Sequence, residues 1–133
     1  MSDKSFYEQV GGSAFFTTLV EHFYVGVAAD EVLRPMYPDE ELEGAKHRLA
    51  TFLEQYWGGP TTYQTERGHP RLFMRHSHFA IDTDARERWI KHMKQALLKM
   101  DAEPALRDEL WTYLVSAAFA MQNIPDDAPP AVN

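Results

Sequence analysis

Residues 42–60 read LEGAKHRLATFLEQYWGGP, and this stretch decides the fold class. Its apolar side chains recur every three or four residues, which is the period of one face of a helix. The members of this stripe are Ala45, Leu49, Phe52 and Tyr56. The pattern predicts a helix over residues 42–57. Gly58-Gly59-Pro60 ends that helix, because glycine favours the terminating conformation and proline cannot continue a helix.

The helical period also runs upstream of this stretch. Ser13 is expected to cap a helix, because a serine hydroxyl can accept a hydrogen bond from a backbone amide of the first turn that has no partner within the helix. The apolar stripe of that helix is Phe16, Leu19, Phe23 and Val27. Gly11-Gly12 separates it from a short segment at residues 5–10. Pro35 and Pro38 predict an irregular corner between this helix and the next.

Downstream, the pattern predicts a polar loop at residues 61–70 and a brief helical turn at residues 71–77. Two longer helices follow. Asp82 or Thr83 is placed to cap the first, and Pro104 suits the first turn of the second. No segment shows sustained alternation with a period of two, so the chain is predicted to be all-α.

The length and charge of the chain limit its class. A chain of 133 residues that is 44% hydrophobic fits one domain, which we expect at residues 1–125, before a disordered tail at residues 126–133. The net charge of −7 argues against nucleic acid or an anionic membrane as a partner. Because the first residues are polar and no apolar run could span a membrane, we expect a cytoplasmic protein.

The chain contains no cysteine, which excludes disulfides, thiolate nucleophiles and cysteine-built metal sites. A metal would therefore need other ligands, and the six histidines are examined first. His76 lies on the apolar side of its short predicted helix, whereas helical geometry turns His78 about 200° away from it. His47 points away from the apolar stripe of its helix, and His92 is ambiguous. Taken alone, His76 is better explained as a hydrogen-bonded core residue than as a metal ligand.

Three polar aromatic residues, Tyr24, Tyr37 and Trp89, each place a hydrogen-bond donor on or near an apolar stripe. Packing explains any one of them. Together with an inward His76 and the small Ala45 on a bulky stripe, they indicate a cavity for a large flat cofactor with a metal centre. Haem is the most economical candidate, because one neutral imidazole can hold its iron while donors act on the opposite side.

These residues lie in motifs that resemble the truncated haemoglobins, and within them group II, over residues 5–124. The two glycine pairs and the long tryptophan-containing run are the most specific of the motifs. The motifs are Ser5-Phe6-Tyr7 with Gly11-Gly12, His22-Phe23-Tyr24, LRPMYP at residues 33–38, FLEQYWGGP at residues 52–60, GHPRL at residues 68–72, MRH at residues 74–76, and Trp89.

The resemblance implies a globin-like two-over-two helical sandwich around haem b. It makes His76 the proximal iron ligand and puts Tyr24, Tyr37 and Trp89 on the distal side, in contact with the bound ligand. Ala45 then stands where many larger globins have a distal histidine. The implied pocket wall also includes Phe23, Leu49, Phe52, Leu53 and Leu72. Arg48 and Arg75 are the candidates for contacting the haem propionates.

A haem protein with this distal side is expected to bind O₂, CO and NO reversibly. A redox enzyme that acts on peroxide or nitric oxide is the alternative, and it would need an external reductase. A non-haem metal site at His76 and His78 would require an extended backbone there. A helical interaction module would leave the Tyr24, Tyr37 and Trp89 set unexplained. Both a monomer and a homodimer are compatible with the sequence.

Overall fold

The computed structural model describes residues 5–37, 42–68 and 81–122. All regular elements in these ranges are helical, which confirms the prediction of an all-α chain. The elements are α1 (Phe6–Gln9), α2 (Ser13–Ala28), a 3₁₀ turn (Arg34–Met36), α3 (Glu43–Tyr56), α4 (Thr62–Arg67), α5 (Thr83–Leu98) and α6 (Pro104–Met121). The 3₁₀ turn occupies the corner that the prolines predicted.

The long helices pack as two pairs. In the first pair α2 lies against α3, and in the second α5 lies against α6. The contact between α2 and α5 joins the pairs, which gives the two layers of the predicted sandwich. No helix in residues 5–37, 42–68 and 81–122 is long and apolar enough to cross a membrane.

Two of the three predicted helix starts are confirmed. The Asp82 carboxylate accepts a hydrogen bond from the Ala85 amide at 2.9 Å, and Pro104 is the first residue of α6. The prediction that Ser13 caps α2 is wrong. Gly12 is the capping residue, with a positive φ of 77° that favours glycine, and α2 begins at Ser13 itself. The Ser13 hydroxyl instead donates to Glu54 of α3 at 2.7 Å.

The predicted loop at residues 61–70 is also wrong in part, because Thr62–Arg67 forms α4. Contacts with α3 stabilise this helix, although its sequence lacks an apolar period. The Tyr63 ring is buried and meets Phe52 edge to face at 5.6 Å, and the Gln55 side chain accepts a hydrogen bond from the Gln64 amide at 2.8 Å. The turn predicted at residues 71–77 lies outside the described residues, as does the tail.

The core is built on the stripe predicted for α2. Phe16, Leu19, Phe23 and Val27 are all fully buried. Opposite them lie Met93 of α5 and Leu110 of α6, which are equally inaccessible. Each such side chain contributes about 1.5–3 kcal/mol by leaving water. This core fixes α2 against α5 and so positions the side chains that α2 and α5 direct toward the neighbouring cavity.

Candidate functional site

A cavity of about 360 Å³ lies between α2, α3, α5 and α6. This volume falls in the range of about 300–1,000 Å³ that is usual for cofactor and small-molecule sites. Its described walls are mainly aliphatic and aromatic. The lining residues are Tyr24, Leu33, Met36, Tyr37, Ala45, Arg48, Leu49, Phe52, Leu53, Tyr63, Arg67, Ile81, Ala85, Arg86, Trp89, Tyr113, Leu114, Ala117, Ala118 and Met121.

The charged side chains among these lining residues are all arginines, although the whole chain carries a net charge of −7. Arg86 is held at the wall, because its Nη1 donates to Gln122 at 2.6 Å and its guanidinium lies 4.0 Å from the centre of the Phe119 ring. Arg48 and Arg67 supply further positive charge. Apolar walls with cations suit a ligand that has an apolar body and anionic groups, which is the chemistry of haem with its two propionates.

Tyr24 comes from α2 and is buried. Its ring meets Tyr37 edge to face, with the ring centres 5.5 Å apart, and its hydroxyl is hydrogen-bonded to that of Tyr37. Burial raises the pKa of Tyr24 well above its ordinary value of 10.0, and the charge and hydrogen bond of Tyr37 raise it further. The positive charge of Arg48 acts in the opposite direction. Tyr24 is therefore a neutral phenol at physiological pH.

Tyr37 follows the 3₁₀ turn, where its carbonyl accepts a hydrogen bond from Arg34 Nη1 at 3.0 Å. Burial raises the pKa of Tyr37, while the hydrogen bond from Tyr24 and the charge of Arg48 partly offset this. The two phenols therefore share a hydrogen bond inside a buried pocket. A pair of hydroxyls has two protons, so one of them is available to donate to a further group.

Trp89 lines the cavity from α5 and is half-buried. Phe23, which the resemblance implied as pocket wall, lies behind the lining residues instead. Its fully buried ring contacts Tyr24 at 4.9 Å and Trp89 at 5.2 Å, so it supports both donors without facing the cavity. The reason is its position on α2, one residue before Tyr24, which turns it into the core between α2 and α5.

The structure brings most of the predicted pocket residues to this one cavity. Besides the three polar aromatics, it places five residues of α3 in the wall: Ala45, Arg48, Leu49, Phe52 and Leu53. His47 faces solvent, where its Nε2 lies 2.8 Å from the Glu66 carboxylate. Leu72, Arg75 and His76 lie outside the described residues, and so does His78.

Several lining residues were not predicted as site residues. Tyr63 and Arg67 belong to α4, whose helix lacks the apolar period that would have revealed it. Tyr113 and Ala117 lie on α6, where the small Ala117 follows the bulky Tyr113 by one helical turn, which is a sequence signal for space in the core. Arg86 is a charge one residue from the core position Ala85, and nothing in the sequence separates it from a surface cation.

Comparisons with known proteins agree with this geometry. The family described as "Bacterial-like globin" matches residues 5–123. The chain is 36% identical over 117 residues to the group 2 truncated hemoglobin YjbI of Bacillus subtilis, covering 88% of this chain and 87% of that protein. It is similar to the solved structure of a thermostable hemoglobin from Thermobifida fusca, with a TM-score of 0.90 and 54% identity over 92% of this chain and all of that one. The group II truncated hemoglobin of Bacillus anthracis is similar at 31% identity, with a TM-score of 0.89 over 96% of this chain and 97% of that one.

Proposed function

The chain belongs to the bacterial-like globin family as a group II truncated haemoglobin with haem b as its cofactor, and on this premise we propose that it binds O₂ and other diatomic ligands reversibly. Haem would supply the iron to which a diatomic ligand binds. The described chain supplies the walls and the donors. Leu49, Phe52 and Leu53 would hold the macrocycle, and Arg48 and Arg67 are placed among the lining residues that would meet its propionates.

The proposal includes a side chain that would hold the iron. We propose His76 for this role, together with Leu72 and Arg75 as pocket residues beside it. Their support is the match between the sequence motifs and the family, which extends across residues 5–123. A neutral imidazole would suit the iron of a haem.

The observation that carries the proposal is the convergence of Tyr24, Tyr37 and Trp89 on one cavity from three separate segments. We propose that Tyr24 donates its proton to Tyr37, so that the direct contacts with the ligand fall to the Tyr37 hydroxyl and the Trp89 indole. A hydrogen bond to a partly charged atom in an apolar site contributes about 1.5–3 kcal/mol. Since about 1.4 kcal/mol corresponds to a tenfold change in affinity, one such bond slows ligand loss by about tenfold or more.

Titration of the purified protein with hemin tests the proposal. We expect stoichiometric uptake, followed by a shift of the absorbance spectrum when CO is added after reduction. His76→Ala is expected to lose the spectrum of the histidine-ligated form. His47→Ala is the matched control, because His47 is exposed and contacts Glu66, and it should keep that spectrum. A protein that stays colourless with hemin would contradict the proposal.

A second candidate is a redox function on peroxide or nitric oxide. It is favoured by the oxidisable phenols of Tyr24 and Tyr37 beside the charge of Arg48. Repeated turnover would need an external reductase. Rapid mixing of the haem-loaded protein with peroxide and with nitric oxide, compared with equilibrium O₂ binding, separates the two candidates. A cytoplasmic location and a monomeric or homodimeric state stay predictions.

A further inference from the structure

Asp30 lies two residues beyond α2, and its side chain is only 5% exposed. Its Oδ1 atom accepts hydrogen bonds from the amides of Val32 and Leu33 at 2.9 and 3.0 Å. Leu33 is buried and lines the cavity. The carboxylate therefore shapes the turn through which the chain passes from α2 toward the cavity wall.

Two side chains of α5 reach the same carboxylate. Arg88 Nη1 donates to Oδ1 of Asp30 at 3.1 Å, and His92 Nε2 lies 2.7 Å from Oδ2. Arg88 stands one residue before Trp89 and His92 stands three residues after it. The partners of one buried carboxylate thus bracket the proposed indole donor on its helix.

His92 is held closely between α2 and α5. Its side chain is 11% exposed, and its Nδ1 atom has no hydrogen-bond partner among the described residues. A Cβ added at Gly26 of α2 would overlap Nδ1, so the glycine lets the imidazole lie directly against the helix backbone. The contact with Gly26 and the bond to Asp30 together fix the position of the ring.

The backbone of Asp30 also begins a connection to Tyr37. The Asp30 carbonyl accepts the Arg34 amide at 2.9 Å, and Arg34 Nη1 donates to the Tyr37 carbonyl at 3.0 Å. One short path of hydrogen bonds therefore runs from Asp30 to Tyr37. A second path runs from Asp30 through Arg88 and His92 to the helix of Trp89.

We propose that Asp30, Arg88 and His92 form a clamp that positions Tyr37 and Trp89 relative to each other and thereby sets how long a diatomic ligand stays bound. The inference rests on the proposed function, in which those two side chains are the donors. Asp30 does not line the cavity, so it is a positioning residue. Arg88 and His92 come 58 and 62 positions after Asp30 in the chain, and their bonds to its carboxylate join α5 to the end of α2.

The charge state of Asp30 suits this role. Burial alone would raise the pKa of the Asp30 carboxyl above its ordinary value of 3.8. The hydrogen bonds from His92 and from the Leu33 and Val32 amides, with the charge of Arg88, outweigh burial and hold the pKa well below that value. The carboxylate is therefore ionised at neutral pH and is a charged hydrogen-bond acceptor for both α5 partners.

Two substitutions in the haem-loaded protein test the clamp. Asp30→Asn keeps an oxygen for the Val32 and Leu33 amides and removes the charge that holds α5. His92→Leu removes one of the two donors from α5. We expect O₂ dissociation to accelerate by about three- to tenfold in each, since a misaligned donor is weakened without being lost.

A second measurement follows the donor itself. In protein labelled with ¹⁵N-tryptophan, the indole N–H signal of Trp89 in the CO-bound form should shift in both variants. Trp57 and Trp111 report in the same spectrum as internal references, and their signals should not move. His92→Gln, which retains an N–H for Asp30, should restore the dissociation rate to within about twofold of the original.

Asp84→Asn is the matched control. Asp84 accepts a hydrogen bond from Arg88 Nε at 3.0 Å, but its side chain is exposed and does not touch Asp30. We expect an unchanged Trp89 signal and a rate within about twofold of the original, since an exposed pair contributes little. If Asp30→Asn fails to hold haem, Arg88→Leu is measured instead. It removes one bond to the Asp30 carboxylate, and the fold should tolerate it because the Arg88 side chain is one-third exposed.

The outcomes separate the clamp from the proposed function. Variants with a lower thermal midpoint but an unchanged O₂ dissociation rate and Trp89 signal would show that the cluster only stabilises the fold, and the clamp would be overturned. If Trp89→Phe itself left the O₂ dissociation rate unchanged, the donor assignment of the proposed function would be wrong. Acceleration in Trp89→Phe without acceleration in Asp30→Asn would overturn the clamp alone.

Discussion

Two groups of aromatic side chains, one at the cavity and one around the end of α3, use the same residue types differently. The cavity group, Tyr24, Tyr37 and Trp89, places its polar atoms at the cavity wall and beside Arg48. The packing group surrounds Trp57 at the end of α3. Its members are Phe6, Tyr7, Phe16, Tyr56, Trp57 and Tyr113, which meet mainly ring to ring.

The contacts within the packing group show what it contributes. The rings of Phe6 and Trp57 lie 4.3 Å apart, and Tyr56 stacks on Tyr113 at 4.0 Å. Trp57 Nε1 is buried with no hydrogen-bond partner among the described residues. A buried donor without a partner gains nothing from its polarity. The difference teaches that the neighbours of a tyrosine or tryptophan, and not its type, decide whether it supports the fold or the site.

The largest expected effect is on the packing group. Phe16 is fully buried and its ring lies 6.5 Å from Phe6, 6.0 Å from Tyr7 and 5.4 Å from Phe15. Phe16→Ala should lower the free energy of unfolding by about 3–5 kcal/mol, because it removes a large side chain and leaves a cavity. Denaturant unfolding followed by circular dichroism measures this. A loss below about 1 kcal/mol would contradict the role given to the group, and O₂ dissociation in the folded protein should not change.

The two tryptophans provide a more direct comparison. Trp89→Phe should accelerate O₂ dissociation by about tenfold or more and also speed autoxidation, because a donor at the cavity is lost. Trp57→Phe should leave the dissociation rate within about twofold and change the free energy of unfolding by about 1 kcal/mol or less, since no hydrogen bond is removed. Flash photolysis and denaturation of both variants measure the contrast. Equal effects of the two substitutions on O₂ dissociation would contradict the assignment of Trp89 to the site and Trp57 to the packing group.

The sequence predicted those features of the fold and the site that depend on the spacing of apolar residues and on residue type. The stripe of α2 and the cap at Asp82 follow from spacing and from the chemistry of a carboxylate at a helix start. The convergence of Tyr24, Tyr37 and Trp89 followed from their donors and from the family resemblance. Nothing local in the sequence shows that Trp57 packs against other rings whereas Trp89 faces the cavity, because that difference depends on contacts with other elements.

The parts that were missed depend on contacts between distant residues. The helix at Thr62–Arg67 is stabilised by the packing of Tyr63 on Phe52 and by a bond to Gln55, so its own period is weak. The capping role of Gly12 in place of Ser13 depends on a positive φ and on Glu54 of another helix. The pairing of Asp30 with His92 spans 62 positions. Charge and period along the chain do not encode such a pairing.

The two tyrosines of the cavity group should act as a unit. Tyr37→Phe is expected to accelerate O₂ dissociation by about three- to tenfold, and Tyr24→Phe by less, because Tyr24 acts through the hydroxyl of Tyr37. The double variant should be no faster than Tyr37→Phe, which is the non-additivity expected of residues in one hydrogen-bond network. Tyr113→Phe is the matched control, since Tyr113 also lines the cavity but stacks on Tyr56. Additive effects of Tyr24 and Tyr37 would contradict the assignment.

The smallest effect concerns alkaline pH, where the two groups should behave alike. Burial raises the pKa of Tyr24 in the cavity group, and burial with the charge of Tyr56 raises the pKa of Tyr113 in the packing group. Both phenols stay protonated in the folded protein after the unfolded chain has begun to ionise, so their stabilisation is complete below pH 10 and is lost as the pH rises above that value. Tyr24→Phe and Tyr113→Phe should each flatten the fall of the unfolding free energy above pH 10, measured by denaturation at a series of pH values. If only Tyr24→Phe flattened this fall, burial would not be the cause of the raised pKa values. The two groups would then differ in their electrostatics as well as in their hydrogen-bond donors.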